Sequence, residues 1–299
     1  MFERTLIPLD GSDTAEQALP YGKELAERLG SKLVLYHVCG LEHQRQINIH
    51  KTYLSSLAET IKRTLQLERS KEQEDSVITR VDVGEPRENI CSLIEKNNID
   101  LVVMTATGSS GVIIGKMIGS VADHICRNVP IPVMLIRPQE KQPAEKKQQL
   151  INRILFTTDG SELAQLALPV AEELASRLNI PITLFQMAHI LVPYSEDMTV
   201  DDSLSYTILS NANESRVRIE MRDLEQKLRD KGLIVNSIVV PGASAADEII
   251  DTSNKVGADL IVMSTHGRSG IKRFLLGAVA DKVIHHSEIP VLLVNARAY

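Results

Sequence analysis

Leu6–Gly30, LIPLDGSDTAEQALPYGKELAERLG, runs from a short β-type segment through an aspartate and a DGS turn into a helical segment, and it returns at Leu155–Asn179 as LFTTDGSELAQLALPVAEELASRLN. Asp10 and Asp159 fall in register, 149 residues apart. A repeat of this period makes the chain two copies of one domain. Further matches extend it: IDLVVMTATGSSG from Ile99 answers ADLIVMSTHGRSG from Ala258, and IGSVADHICRNVPIPVMLIR from Ile118 answers LGAVADKVIHHSEIPVLLVN from Leu276. The offset is 159 between Asp100 and Asp259, which places about ten extra residues of the second copy around LVPYSEDMTVDDSLSY, and it falls to 158 between Gly119 and Gly277. The copies meet at RPQEKQPAEKKQQL, Arg137–Leu150, a charged stretch with two prolines and few apolar residues. It reads as a linker. The expected division is a first domain at 1–138, a linker at 139–150 and a second domain at 151–299.

Within each copy short runs rich in Val, Ile and Leu alternate with longer helical ones. In the first copy RTLIPLD, SKLVLYHV, VITRVDV, DLVVMT and IPVMLI read as strands buried on both faces. Helices are expected over Thr14–Leu29, His50–Glu74, Arg87–Asn97 and Lys116–Arg127, with Asp13 and Ser161 at N-cap positions and Pro86 in a first turn. This alternation predicts an α/β fold: two tandem open parallel sheets with helices on both faces and right-handed crossovers, Rossmann-like in plan.

The 299 residues carry 33 basic and 39 acidic side chains, a net charge of −6 without a block of one sign, and 3% aromatics with no Trp. Nucleic-acid binding finds neither a basic footprint nor stacking platforms. No run approaches the roughly 18 apolar residues of a membrane span, and MFERTLIPLD lacks signal-peptide architecture, so a soluble cytoplasmic protein is expected. Cys39, Cys91 and Cys126 lack CxxC or metal-ligand spacing and read as reduced, mostly buried thiols rather than redox or metal groups.

Ligands of open parallel sheets bind beyond the carboxyl ends of the strands. That places Pro8, Leu9, Asp10 and Val38, then Thr157, Thr158, Asp159 and Met187, among the candidates. Asp10 and Asp159 either cap the DGS turn or accept hydrogen bonds from a ribose. Gly108, Gly111, Gly115 and Gly119, and Gly267, Gly270 and Gly277, lie between a strand and a helix start. They serve tight turning or let backbone amides cradle phosphate. No GK[ST] follows, so this is not a Walker loop. His266, Arg268, Lys272 and Arg273 are either solvated charges or phosphate contacts, where the first copy offers Lys116.

The strand-one aspartate, the MSTHGRSG loop, the LGAVADKVI helix start and the IPVLLV strand together resemble a universal stress protein domain, in both halves. The resemblance implies a five-stranded sheet per domain, binding of ATP or AMP with or without Mg2+, and dimerisation through the last strand. It carries the site onto Met104, Thr105, Gly108, Gly119, Ser120 and Val121 beside Pro8, Leu9, Asp10 and Val38. In the second copy it carries it onto Met263, Ser264, His266, Gly267, Arg268, Gly270, Gly277, Ala278 and Val279 beside Thr157, Thr158, Asp159 and Met187. The family's motif is glycine, two residues, glycine, nine residues, then glycine with Ser or Thr. The second copy keeps the nine-residue spacing but has Ser264 and Ala278 at its ends; the first has Thr105, ten intervening residues, then Gly119 and Ser120.

The expected function is a regulatory protein that binds adenine nucleotide, chiefly in the second domain because its spacing is kept. The alternatives are a scaffold acting through protein contacts and a slow ATPase, for which His266 is the one nearby candidate base. No catalytic or metal residue is assigned. The last strands, from Ile131 and Ile289, are expected to pair the two domains as an intramolecular pseudo-dimer, with a further homodimer as an option.

Overall fold

The computed structural model describes residues 1–66, 76–108, 118–139, 149–190, 200–267 and 276–295. The first half runs β1 (Arg4–Pro8), α1 (Asp13–Glu16), α2 (Leu19–Leu29), β2 (Lys32–Cys39), α3 (Ile47–Gln66), β3 (Val77–Val83), α4 (Pro86–Lys96), β4 (Leu101–Thr105), α5 (Ser120–Asn128) and β5 (Val133–Ile136). The second repeats it: β6 (Ile154–Thr158), α6 (Glu162–Gln165), α7 (Leu168–Leu178), β7 (Ile182–His189), α8 (Val200–Asp230), β8 (Val235–Gly242), α9 (Ala245–Val256), β9 (Leu260–Ser264), α10 (Ala278–His286) and β10 (Val291–Val294). Each half contributes five parallel strands, and the two join in one ten-stranded sheet ordered β3-β2-β1-β4-β5-β10-β9-β6-β7-β8.

Alternation of side chains sorts the core into two layers. Ile7, Leu33, Leu35 and Val103 face α2 and α3, whereas Leu6, Val34, Tyr36, Val102 and Met104 face α4 and α5. The central strands β4 and β9 are buried at every residue. VITRVDV does not share this: β3 is an edge strand with one neighbour, β2, and exposes Ile78, Thr79 and Arg80. Near-continuous apolar composition here marks membership of a parallel sheet, not burial on both sides.

Several expected boundaries move for identifiable reasons. The segment Thr14–Leu29 is two helices, because Pro20 stands in the first turn of α2 and has no N–H to continue α1. Pro169 does the same between α6 and α7. Ser12, not Asp13, caps α1, its hydroxyl accepting from Ala15 N; Ser161 caps α6 as expected. The helix expected from Lys116 begins at Ser120, since Gly119 is still extended; Lys116 itself lies outside the described residues. Residues 67–74 of the expected third helix and 140–148 of the expected linker lie outside them too.

The halves are joined by antiparallel pairing of β5 with β10, Leu135 opposite Val291, Met134 opposite Leu292 and Val133 opposite Leu293. Around this ladder the helix ends of each half are capped by the other. Asn295 Nδ2 donates to the carbonyls of Arg127 and Val129 at the end of α5, and Arg137 donates to His285 O at the end of α10. Arg28 donates to Leu178 O after α7, and Arg177 donates to Leu29 O at the end of α2. A cation at a helix C-terminus satisfies orphan carbonyls and meets the negative end of the dipole. Glu24 completes the arrangement, 7% exposed, binding Arg28 at 2.7 Å and accepting from the N–H groups of Leu150 and Ile151.

Among the described residues, no helix is long and apolar enough to cross a membrane. Cys39 and Cys126 are buried, Cys91 is half-buried, and all three are free.

Arg28→Ala strips Glu24 of its cation in a buried setting and should cost about 3 kcal/mol. The more exposed Arg177→Ala should cost about 1 kcal/mol or less. Thermal unfolding of both variants tests this ranking; equal losses would mean that Glu24 is held by backbone N–H groups alone.

Candidate functional site

The order of strands reverses between β1 and β4 in the first half and between β6 and β9 in the second, which is where loops diverge and leave a crevice. A cavity of about 140 Å3 opens at the first of these points. Its lining brings together Asp10, Gly108 and the start of α5, Gly119 to Ala122, with Tyr36, Val38, Ile90 and Met104. Pro8, Leu9, Thr105 and Val121 complete the walls, so the residues expected in the first copy converge on one cavity. Tyr36, Pro86 and Ile90 were missed. Tyr36 precedes Val38 by two on the same strand, so the period-2 rule could have found it.

Asp10 does cap its turn. Its Oδ1 accepts from the N–H and hydroxyl of Ser12 at 3.0 and 2.6 Å, and Asp159 Oδ1 accepts from Ser161 N at 2.9 Å. The carboxylate also reaches the glycine loop. A Cβ on Gly108 would lie 2.4 Å from Asp10 Oδ2, and one on Gly267 would lie 2.3 Å from Asp159 Oδ2. Both glycines thus leave the aspartate room, and a side chain at either would make the carboxylate shift.

The two loops end in the same way. Gly119 N donates to Ala106 O at 2.7 Å and Gly277 N donates to Thr265 O at 2.9 Å. A Cβ on Gly277 would stand 2.9 Å from that same carbonyl oxygen. The additional residue of the first copy is thus confined between Gly108 and Ile118, and it does not turn the helix start relative to the strand exit. Neither α5 nor α10 has a side-chain cap, its N-cap being glycine, so both present backbone N–H groups and a positive dipole end. The expected first glycines are Thr105 and Ser264, whose hydroxyls donate to the carbonyls of Thr107 and His266, at 2.8 and 2.7 Å. A hydroxyl here stiffens the turn.

In the second copy Thr157, Met187, Met263 and Ser264 are buried, Thr158 Oγ1 accepts from Gly160 N at 3.0 Å, and Ala278 and Val279 begin α10. His266 Nδ1 lies 2.9 Å from Thr265 Oγ1, and its Nε2 is buried without a hydrogen-bond partner among the described residues. Gly111, Gly115, Lys116, Arg268, Gly270, Lys272 and Arg273 lie outside the described residues. Among the described residues no group of three His, Cys, Asp or Glu could hold a metal ion.

On the other face of β2, His37 is 5% exposed, donates from Nδ1 to Leu9 O at 2.9 Å and stacks on His50 with ring centroids 4.2 Å apart. Burial, then the neighbouring His50, hold its pKa below the ordinary 6.5. Gln186 takes the corresponding place in β7.

Comparison with known proteins places these features. The model of the universal stress protein family matches residues 1–137 and 151–295. The chain is 22% identical to Universal stress protein Slr1230 of Synechocystis over 310 aligned positions, covering 96% of this chain and 98% of that one. It is 28% identical over 148 residues to Universal stress protein MJ0531 of Methanocaldococcus jannaschii, covering 50% of this chain and 84% of the relative. A universal stress protein of Archaeoglobus fulgidus has the same fold, with a TM-score of 0.65 at 19% identity and 99% of each chain covered.

Since folding lowers the pKa of His37, this residue stabilises the protein above pH 6.5, and that contribution is lost as pH falls below it and the buried ring must take up a proton. His37→Gln, which copies the second half, should flatten the acid side of a plot of melting temperature against pH as it falls below 6.5. An unchanged acid limb would assign the loss to carboxylates instead.

Proposed function

The chain belongs to the universal stress protein family, and on that premise we propose that it is a cytoplasmic regulator that binds an adenine nucleotide, ATP or AMP, in the cleft of its first domain. The carrying observation is that one cleft brings together the uncapped α5 start, beside Gly108, Gly119 and Ser120, and the apolar side chains of Val38, Ile90 and Met104. Phosphate suits the first, by backbone N–H donation and dipole. A flat base suits the second. Asp10, which lines the same cleft, is placed to accept from a ribose, and Mg2+ enters the reading only as a companion of the phosphates.

This moves the preferred domain from the second to the first. The expectation for the second copy stands on motif spacing and on the basic cluster His266, Arg268, Lys272 and Arg273; the last three lie outside the described residues, and the helix starts at Gly119 and Gly277 close onto the strand exits in the same way. The second domain remains a second reading, favoured by its own uncapped α10 start and by the unpartnered Nε2 of His266 beside Gly267. We read the protein as a binding protein and not a hydrolase, because hydrolysis needs a placed base or a metal-activated water, and His266 as a lone ring in a turn is the weaker candidate for one.

Heating the purified protein with ATP or AMP, with and without Mg2+, tests the reading. A nucleotide at 100 times its Kd should add about 2.7 kcal/mol of stability, while no shift and no co-purified nucleotide would favour the scaffold alternative. Gly108→Val, which drives a side chain into Asp10, should abolish binding in the first domain. Gly267→Val should remove whatever the second domain binds. If only Gly267→Val weakens binding, the site belongs to the second domain.

A further inference from the structure

One lining residue of the first cleft, Tyr36, belongs to a polar set that the second domain lacks. Tyr36, buried on β2 and lining the cleft, donates from its hydroxyl to Asp82 Oδ2 at 2.8 Å, and Arg80 Nε donates to the same oxygen at 2.9 Å. Tyr36 lies opposite Arg80 in the β2–β3 register, and Val38 opposite Asp82. At the corresponding places of the β7–β8 register stand Phe185 opposite Ile238 and Met187 opposite Val240. All three polar groups are replaced together by apolar ones.

The hydrogen bond fixes what the phenol can do. An ionised carboxylate only accepts, so the Tyr36 proton is committed to Asp82 and the phenol oxygen keeps only acceptor capacity for anything in the cleft. Burial and the Asp82 carboxylate raise the Tyr36 pKa, which keeps that proton in place at neutral pH. Arg80, paired with the same carboxylate at 2.9 Å, fixes its orientation.

We propose that Tyr36, oriented by Asp82 and Arg80, is the base-reading group of the first domain, accepting a hydrogen bond from the exocyclic amino group of the bound base and disfavouring a base with an oxo group there. The inference rests on the nucleotide reading of the cleft: with phosphates at the α5 start, the base is the part that reaches Tyr36. An amino edge supplies the missing donor. An oxo edge sets two acceptors against each other and leaves both unpaired, which costs more than a lost hydrogen bond. The second domain, with Phe185, Ile238 and Val240, has no such group and does not distinguish the two edges.

The test is calorimetric titration of the full chain with ATP and with inosine triphosphate, which carries an oxo oxygen where adenine carries its amino group. The wild type should prefer ATP by about tenfold at one class of sites, and Tyr36→Phe should bring the two ligands within about threefold. Asp82→Asn, at a side chain 32% exposed and so remote from the core, guards against misfolding of the first variant. Its amide can donate to the phenol and release the Tyr36 proton toward the cleft, so inosine triphosphate should gain on ATP. Equal affinities in the wild type, or a preference undiminished in both variants, would overturn the proposal while leaving nucleotide binding intact. A wild type that binds neither ligand would overturn the nucleotide reading itself and this proposal with it.

Discussion

Met134 facing Leu292 across the β5–β10 ladder is the contact on which the arrangement of the whole chain turns. Each half alone would end its sheet in a strand that is apolar on both faces, with an unpaired row of N–H and C=O groups, a template for uncontrolled association. Pairing the two last strands satisfies both edges at once and, being antiparallel, relates the halves by a local twofold. The twofold explains why caps come in reciprocal pairs: Arg28 serves Leu178 as Arg177 serves Leu29, and Arg137 serves His285 as Asn295 serves Arg127. It also leaves β3 and β8 as outer edges, which can be more polar because they are covered on one side only.

Much of this architecture was legible because repetition doubles every signal. An ambiguous run such as LVVMT becomes a strand when LIVMS recurs in the same context, and the DGS turn is fixed by two serine caps, Ser12 and Ser161. What periodicity does not carry is interruption and layer position. Pro20 and Pro169 split helices whose apolar spacing reads as continuous, and VITRVDV has strand composition without the burial of a central strand. The cavity was legible where it follows from strand exits, at Asp10, Val38 and Thr105. Its deeper wall was not, since Ile90 and Pro86 come from a helix whose orientation depends on tertiary packing, and the engagement of Asp10 with Gly108 is a through-space relation between residues far apart in sequence.

That relation changes how the glycines are understood. A glycine-rich loop invites explanation by backbone freedom, yet Gly108 and Gly267 are kept small by a neighbouring carboxylate, and Gly119 and Gly277 by the carbonyl of the strand exit. At the described ends of each loop, then, space is set by neighbouring oxygens as well as by backbone conformation.

The same frame repeated twice with different walls is the most informative feature of the tandem arrangement. In the frame, the halves agree down to the bond from the last loop glycine to the strand exit. Beside it they differ along β2 and β7 and their edge-strand partners: Tyr36 and Phe185, Val38 and Met187, Asp82 and Val240. Replacing Asp82 alone would leave the buried phenol of Tyr36 without its acceptor, at a cost of about 1 to 3 kcal/mol. The two domains avoid that cost in opposite ways, the first by keeping Tyr36, Asp82 and Arg80 together and the second by placing Phe185, Val240 and Ile238 at the same positions.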